Sequence, residues 1–228
     1  GLVGCGRMGT TIDDEVRDRP NADLFLPYSH AAAVVACDRT DLVAVSDPFA
    51  EKAQAAADRY DVPTTSTDAE EMIRKEGLDV VCIATRPSPH APVTIFAAEN
   101  GVGAVYCEKP LTHTVEEARA VAELAAKQGV ATQMGTQIHA GGNYRRVVEL
   151  IRADAIGEVT EVHVACGKGW GGNGMPTGEH EAPAHFHWDL WLGPAADRPF
   201  HPGYHPANWR RYWDFGGGTM SDMACHLM

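Results

Sequence analysis

Three features that would assign the chain to particular protein classes are missing from its 228 residues. No apolar run is long enough to span a bilayer. Lysine and arginine are scattered and the formal net charge is −12, which argues against nucleic acid or an anionic membrane as a partner. The cysteines form no Cys-x-x-Cys pair, so we expect buried thiols in a reduced compartment and no disulfide framework. They are Cys5, Cys37, Cys82, Cys107, Cys166 and Cys225.

The ends of the sequence suggest a fragment of a longer protein. Residue 1 is not methionine and already belongs to an apolar stretch, and residue 228 falls inside a predicted helix. We expect a cytoplasmic protein. Periplasmic export is kept as an alternative, because a signal peptide could precede residue 1.

The first motif is a glycine-rich turn directly after a short apolar strand. Gly4, Gly6 and Gly9 form the pattern G-x-G-x-x-G. The first glycine permits a tight turn, the second lets the backbone approach a pyrophosphate, and the third lets the next helix pack closely. Free N–H groups at the start of that helix would hold phosphate. Because glycine-rich turns are common, this motif needs support from elsewhere in the chain.

An acid at the end of the second predicted strand gives that support. The run at 42–46 ends in Asp47, whose carboxylate would bind the adenosine ribose and repel a 2′-phosphate, which favours NAD over NADP. Asp47 lies farther from the glycines than the usual roughly 20 residues. We attribute this to an insertion at about residues 11–29, with the first helix delayed to 30–37. A plain turn residue before Pro48 is the alternative.

Strands and helices alternate along the first part of the chain, which is typical of a parallel doubly wound sheet. We therefore predict that residues 1–134 form a Rossmann domain. Its further strands are predicted at 62–65, 78–85, 103–107 and 130–135, and its further helices at 50–59, 68–76, 91–100 and 114–128. Asp68 is a candidate N-cap, and Thr114 with Glu117 forms a candidate capping box.

The composition changes after Gly135, so residues 135–228 are predicted to form a second domain. A helix is expected at 144–152, and the alternating stretch 159–166 predicts a strand, antiparallel in a second sheet. A loop rich in Gly, Pro, His and Trp occupies 167–205, with a helical turn at 189–192. A last helix begins near Thr219.

Lys109 is the leading candidate for a catalytic residue. It follows a buried strand, at the carboxyl edge where ligands of open α/β sheets bind. A poorly solvated lysine there can have a lowered pKa and share a proton with a substrate oxygen. Pro110 fixes the turn that follows. An ordinary strand end with a surface ion pair is the alternative.

Asp222 and His226 form a second candidate pair. They follow three consecutive glycines and lie four residues apart, so they share one helix face. The pKa of an imidazole lies near neutrality, which suits the removal of a hydroxyl proton. A surface pair without function is the alternative for these two residues alone.

Taken together, these motifs resemble the Gfo/Idh/MocA oxidoreductases, in the right order and over essentially the whole chain. The resemblance implies an α/β protein with an N-terminal Rossmann domain and the start of a C-terminal α+β domain built on a large, mainly antiparallel sheet. The motifs concerned are the glycine turn, Ala84-Thr85 with His90, Glu108-Lys109-Pro110, Gly135-Thr136-Gln137, Ala155-Ile156-Gly157-Glu158-Val159, Trp188-Asp189-Leu190-Trp191-Leu192-Gly193-Pro194, and Gly216-Gly217-Gly218 with Asp222 and His226.

The resemblance also implies a function. Hydride would pass between NAD, or less favourably NADP, and a secondary hydroxyl or keto carbon of a sugar, sugar derivative or inositol. His226 would take the hydroxyl proton, Asp222 would orient the same hydroxyl, and Lys109 would stabilise the developing alkoxide. No metal is expected, and the full-length protein is expected to be a homo-oligomer.

The cofactor contacts implied by the resemblance involve both predicted domains. The adenosine half would contact Gly4, Gly6, Arg7, Met8, Gly9 and Asp47, and the phosphates and ribose would pass Thr85 and His90. The nicotinamide half would contact Glu108, Lys109 and Gln137, with Trp209 and Arg210 closing over it. Simple packing is an equally supported alternative for Trp209.

Several alternatives stay open. The same hydride step could serve a glycoside-cleaving enzyme that oxidises C3 transiently and recycles its NAD, or the chain could be a non-catalytic dinucleotide sensor. A metal could bind the loop that contains Glu179, His180, Glu181, His185 and His187. The tryptophans could stack on sugar rings, although for Trp188 and Trp191 we favour an aromatic core.

Overall fold

The first unit of the protein is built on one parallel sheet, seen here in a computed structural model that describes residues 1–171, 174–193 and 195–227. Its strands are β1 (Leu2–Val3), β2 (Ala44–Ser46), β3 (Thr64–Ser66), β4 (Val80–Ile83), β5 (Ala104–Cys107) and β6 (Ala131–Met134). They lie in the order β3-β2-β1-β4-β5-β6, and every neighbouring pair is parallel. This is the strand order of a Rossmann fold and confirms the predicted doubly wound sheet.

Helices connect these strands within the unit Gly1–Gly135. They are α1 (Ile12–Val16), α2 (His30–Ala36), α3 (Ala50–Tyr60), α4 (Ala69–Glu76), α5 (His90–Glu99) and α6 (Val115–Gln128). Both predicted caps are present. The Asp68 carboxylate accepts the first N–H groups of α4, and Thr114 and Glu117 form a reciprocal capping box at α6.

The core of this unit lies on both faces of the sheet, because successive residues of a strand point to opposite sides. Val81 and Ile83 of β4 pack on one face of the sheet, in a cluster with Met72 of α4. Cys82, between them, packs on the other face with Val45 and with Ala56 of α3. Burial on both faces explains why β4 is a nearly continuous apolar run.

The prediction that the first helix is delayed by an insertion is wrong. A π-helical turn begins at Arg7, directly after the glycine turn, and continues as α1. The predicted insertion therefore contains helix. The Asp13 carboxylate of α1 accepts the N–H groups of Tyr28 (2.8 Å) and Ser29 (3.0 Å), which closes the loop before α2.

The described part of the second unit, Thr136–Met228, contains three further helices. They are α7 (Gly142–Arg152), α8 (Trp188–Leu192) and α9 (Gly218–Leu227), with 3-10 turns at Gln137–Ala140 and Asn208–Arg211. The predicted strand at 159–166 is wrong, since this stretch is exposed and makes no ladder. A strand needs a hydrogen-bonded neighbour, and among the described residues no strand follows Met134.

An aromatic cluster organises the long loop of the second unit and confirms the aromatic core expected at Trp188 and Trp191. Their rings stack with centroids 5.0 Å apart, and Tyr204 stacks on Trp188 at 5.7 Å. Phe186 and Phe215 pack around them. The last residue of the tryptophan motif, Pro194, lies outside the described residues.

Two expectations drawn from composition can be compared with the structure. In the described ranges, every helix is too short or too polar to cross a membrane. All six cysteines are free, and Cys5, Cys82 and Cys107 are buried as expected. The expectation of burial is wrong for Cys166, which is exposed in the stretch that fails to form a strand.

The closure of the loop before α2 gives a test of stability. Asp13→Ala should lower the free energy of unfolding by about 1–3 kcal/mol, because the buried N–H of Ser29 and the partly buried N–H of Tyr28 lose their acceptor. The matched control is Asp14→Ala, which removes only exposed ion pairs to Arg17 and Arg59 and should change stability far less. Urea unfolding measures both. Equal losses in the two variants would show that Asp13 does not hold the loop.

Candidate active site

The three glycines of the turn after β1 have different surroundings. Gly4 has φ +98°, and a Cβ there would lie 2.7 Å from the Ala84 carbonyl. A Cβ on Gly9 would lie 2.0 Å from the Gly4 oxygen, so this glycine is needed for the close approach of the helix. A Cβ on Gly6 would meet nothing within 4 Å. The backbone is therefore open at Gly6, where a pyrophosphate would approach.

Asp47 lies beside this turn, at the carboxyl end of β2. Its buried carboxylate accepts the Cys5 N–H through Oδ2 (2.9 Å) and the Phe49 N–H through Oδ1 (3.0 Å). Each carboxylate oxygen can accept a second hydrogen bond, so acceptor positions are left for ribose hydroxyls. The structure thus brings Asp47 to the glycine turn despite their separation in sequence.

Arg7 is exposed and is held by α1. Its Nε and Nη2 donate to the two carboxylate oxygens of Glu15 at 2.6 and 2.7 Å. The hydrogen bond from Glu15 raises the pKa of Arg7 above its usual value. Its Nη1 lies 3.8 Å from the sulfur of Met8. A contact of Arg7 and Met8 with a cofactor stays a prediction.

At the end of β5, the Glu108 carboxylate is enclosed by three groups. Oε1 lies 3.1 Å from His30 Nε2, and Oε2 accepts the Lys109 N–H at 3.2 Å. A Cβ on Gly135, at the end of β6, would lie 2.9 Å from the carboxyl atoms, so a side chain there would displace the Glu108 carboxylate. The sequence analysis missed His30. The only feature of the sequence that could have drawn attention to it is that His30 directly follows Ser29, the N-cap of α2.

The pairing of His30 with Glu108 determines their ionisation. Burial alone would lower the pKa of His30, but hydrogen bonds to Cys82 and Glu108 raise it from 6.5 to about 9. Burial alone would raise the pKa of Glu108, but the hydrogen bond and charge of His30 lower it. The pairing therefore favours the charged form of each partner.

His90 lies under the turn that carries Lys109. It is buried, with Nδ1 2.7 Å from the Pro110 carbonyl oxygen and Nε2 3.3 Å from that of Thr85. Both neighbours are carbonyl oxygens, so the ring lies between the turns after β4 and β5, and the N–H of its tautomer donates to one of them. Lys109 is half-buried at this edge, and its peptide bond to Pro110 is cis. Contact of Thr85 or His90 with a cofactor stays a prediction.

In the second unit, Asp222 and His226 are both buried on one face of α9. Trp170 Nε1 donates to Asp222 Oδ2 (2.7 Å), Arg210 Nε donates to Oδ1 (3.3 Å), and Lys168 Nζ lies 3.6 Å from Oδ2. The sequence analysis missed Lys168 and considered Trp170 only as a residue that could stack on a sugar, since their spacing to α9 carries no pattern. The predicted Arg210 is thus held on Asp222.

The three consecutive glycines at the start of α9 allow this packing. A Cβ on Gly216 would lie 2.9 Å from the Arg210 Cα, and one on Gly217 would lie 2.6 Å from the Ser221 Cβ. Gly218 has φ +66°. Arg210 also lies over the ring of the predicted Trp209 at 4.5 Å.

The structure thus brings the predicted residues together as two groups, one in each unit. The first group lies at the carboxyl edge of the sheet and contains Gly4, Gly6, Gly9, Asp47, Glu108 and Lys109. Arg7 and Met8 lie on the glycine turn, Thr85 lies on the turn after β4, and His90 contacts both Thr85 and the turn that carries Lys109. The second contains Trp209, Arg210, Asp222 and His226, and the turn that starts at the exposed Gln137 packs against α9.

The proposed metal loop has no arrangement suited to a metal. His180 packs edge-on against His201, with centroids 4.6 Å apart. Within 1–171, 174–193 and 195–227, no cluster of three or more His, Cys, Asp or Glu side chains could hold a metal ion.

Comparison with known proteins assigns the chain to a class. Residues 1–136 match the model of an oxidoreductase family with an NAD-binding Rossmann fold, and residues 144–228 match the model of its C-terminal alpha/beta domain. The first of these models describes an oxidoreductase family with an NAD-binding fold, which agrees with the parallel sheet described above. The chain belongs to the Gfo/Idh/MocA oxidoreductase family.

Similar curated proteins are dehydrogenases of cyclitols and sugars. The chain is 34% identical over 134 residues to scyllo-inositol 2-dehydrogenase (NAD(+)) of Bacillus subtilis, covering 58% of this chain and 39% of that protein. It is 30% identical over 167 residues to inositol 2-dehydrogenase 4 of Saccharopolyspora erythraea, covering 72% and 44%. It is also 30% identical over 156 residues to D-apiose dehydrogenase of Paraburkholderia graminis, covering 68% and 36%. The chain therefore spans about two fifths of the length of these relatives.

Solved structures share the fold of the chain. An NAD-binding oxidoreductase from Klebsiella pneumoniae has a TM-score of 0.56 at 27% identity, covering 69% of this chain and 39% of that one. A scyllo-inositol dehydrogenase from Lactobacillus casei, solved with NAD(H) and scyllo-inositol, has a TM-score of 0.57 at 20% identity, covering 70% and 42%. The second similarity, at this identity, concerns the fold alone.

The buried pair of His30 and Glu108 makes stability depend on pH. Because the pKa of His30 is raised from 6.5 to about 9, its contribution is complete below pH 6.5 and is lost as the pH rises through about 9. Because the pKa of Glu108 is lowered from 4.5, its contribution is present above pH 4.5 and is lost in stronger acid.

We therefore expect the free energy of unfolding to fall between pH 6.5 and pH 9, and His30→Gln to remove most of this fall. Urea unfolding at the two pH values measures the difference. The control is His113→Gln, at an exposed site, which should keep the pH dependence of the wild type. The same fall in His30→Gln as in the wild type would contradict the assignment.

Proposed function

We propose that the protein is an NAD-dependent dehydrogenase that moves hydride between nicotinamide and a secondary carbinol carbon of an inositol or a sugar. The observation that carries this proposal is the Glu108-Lys109-Pro110 turn at the carboxyl edge of β5, where buried histidines contact the Glu108 carboxylate and the Pro110 carbonyl oxygen. The inositol and sugar dehydrogenases among the relatives support the substrate class.

The residues of the first unit fit a dinucleotide. The open backbone at Gly6 suits a pyrophosphate, and the buried Asp47 carboxylate suits the hydroxyls of the adenosine ribose. We propose NAD rather than NADP, because a 2′-phosphate would be repelled by Asp47. The nearby cation of Arg7 is already paired with Glu15, which supports the same preference.

In the proposed mechanism, the side chains of the chain manage the proton and the developing charge. NAD, when bound, supplies the acceptor for the hydride. His226 would take the hydroxyl proton of the carbinol as a general base. Lys109 would stabilise the developing alkoxide with its ammonium group. Asp222, held by Trp170 and Arg210, would orient the same hydroxyl toward His226.

We also propose that the full-length protein is a cytoplasmic homo-oligomer. The six free cysteines support a reducing compartment. Helix α7 leaves Val147 and Ile151 about half exposed, at 50% and 45%, and this apolar face supports a further packing partner. Light scattering of the purified full-length protein would give its oligomeric state.

The test is a screen of the full-length protein with inositols and sugars, using NAD and, separately, NADP. We expect one class of polyol to reduce NAD faster than NADP. The absorbance of the reduced nicotinamide measures both rates. Lys109→Ala should lower kcat by about a hundredfold to a thousandfold, because it removes the charge that stabilises the alkoxide. The control is Lys127→Ala, at the exposed end of α6, which should leave kcat unchanged.

Other outcomes would contradict the proposal. Cleavage of glycosides only in the presence of NAD, without net reduction, would identify a glycoside-cleaving enzyme that recycles its cofactor. Binding of NAD without any turnover over the whole panel would favour a sensor. Full activity of Lys109→Ala would remove Lys109 from the chemistry.

A further inference from the structure

We propose that His30 is a positioning residue for the nicotinamide end of the site. Its imidazole fixes the Glu108 carboxylate in the orientation that receives the two hydroxyls of the nicotinamide ribose. This inference rests on the proposed function. It adds a residue from α2, outside all the motifs of the family resemblance, to the group that determines cofactor affinity.

The geometry around Glu108 leaves it little freedom. His30 Nε2 occupies one acceptor position of Oε1 at 3.1 Å, and the Lys109 N–H occupies one of Oε2 at 3.2 Å. Gly135 packs against the carboxyl group from the end of β6. Since each carboxylate oxygen has two acceptor positions, one on each oxygen is left. Two neighbouring hydroxyls of a ribose form a matching pair of donors.

His30 is itself held rigidly. Its side chain is only 4% exposed, and its ring lies 4.8 Å from that of Tyr106 at 50°. It is the first residue of α2, whose N-cap Ser29 accepts the Ala32 N–H at 3.3 Å. The hydrogen bond to Glu108 therefore starts from a fixed donor.

Two further side chains, Asp13 and Tyr60, fix the start of α2 relative to the glycine turn. The Asp13 carboxylate accepts the N–H groups of Tyr28 and Ser29. The Tyr60 hydroxyl donates to the Thr10 carbonyl at 2.6 Å and lies 3.3 Å from Ser29 Oγ. After the glycine turn and α1, these contacts fix the position at which the chain begins α2, and therefore the position of His30.

Stability alone does not account for a histidine at this position. A cation at the N-terminal end of a helix is opposed by the helix dipole, and burial opposes its charge. A buried ion pair is often no more stabilising than well-packed apolar residues of similar size. What the pair supplies, and an apolar pair would not, is an ionised and oriented carboxylate at the ligand-binding edge of the sheet.

The test uses a matched pair of variants in the full-length protein. His30→Gln places an N–H donor near the position of Nε2, whereas His30→Asn is too short to reach Glu108. Calorimetry would measure the binding of NAD, of ADP-ribose, which keeps the second ribose, and of ADP, which lacks it. We expect His30→Asn to weaken NAD and ADP-ribose by about tenfold and to leave ADP unchanged.

His30→Gln should stay within about threefold of the wild type for all three ligands, because one hydrogen bond to Glu108 is retained. Glu108→Gln provides a coupling control. In its background, His30→Asn should weaken NAD no further, since the two residues act through one contact.

Unchanged NAD affinity in His30→Asn would overturn the inference, and so would an equal loss of NAD and ADP, which would indicate a general effect on the fold. A wild-type protein that binds neither NAD nor ADP would instead contradict the proposed function. The two failures are therefore distinguishable.

Discussion

The first unit depends on the need to satisfy a carboxylate that is largely buried at the ligand-binding edge of the sheet. An unpaired charge at this place would be costly. Glu108 is therefore enclosed by His30 from α2, by the backbone of Lys109 and by Gly135 at the end of β6. This requirement fixes where α2 must begin, and the loop before it must return to that point however long it is.

The second unit solves a similar problem around Asp222, which is also buried. Its oxygens receive donors from Trp170 and Arg210, and the three consecutive glycines at the start of α9 let these segments approach. Each unit thus holds one acid in a fixed place, with a basic side chain near it. In the first unit, Lys109 follows Glu108 in the chain. In the second unit, His226 lies on the same helix face as Asp222. Proton transfer to and from a hydroxyl requires groups of this kind.

The sequence allowed the local motifs to be predicted, because the glycine turn, the strand that ends at Lys109 and the helix face of Asp222 all follow from short spacings. His30 could not be found in this way, since it lies 78 residues from its partner Glu108. The strand predicted at 159–166 failed for a different reason. Alternation indicates which face of a strand is apolar, but it does not supply the neighbour that a strand must pair with. At Arg7, the long separation between the glycines and Asp47 led to a wrong prediction of where the first helix begins.

The most direct test of this account is a crystal structure of the full-length protein with NAD. We expect the hydroxyls of the nicotinamide ribose to lie about 3 Å from the free acceptor positions of Glu108, with His30 still bonded to the other side of Oε1. The adenosine ribose should contact Asp47. A cofactor whose nicotinamide half lies away from the end of β5, without contact to Glu108, would contradict the central claim.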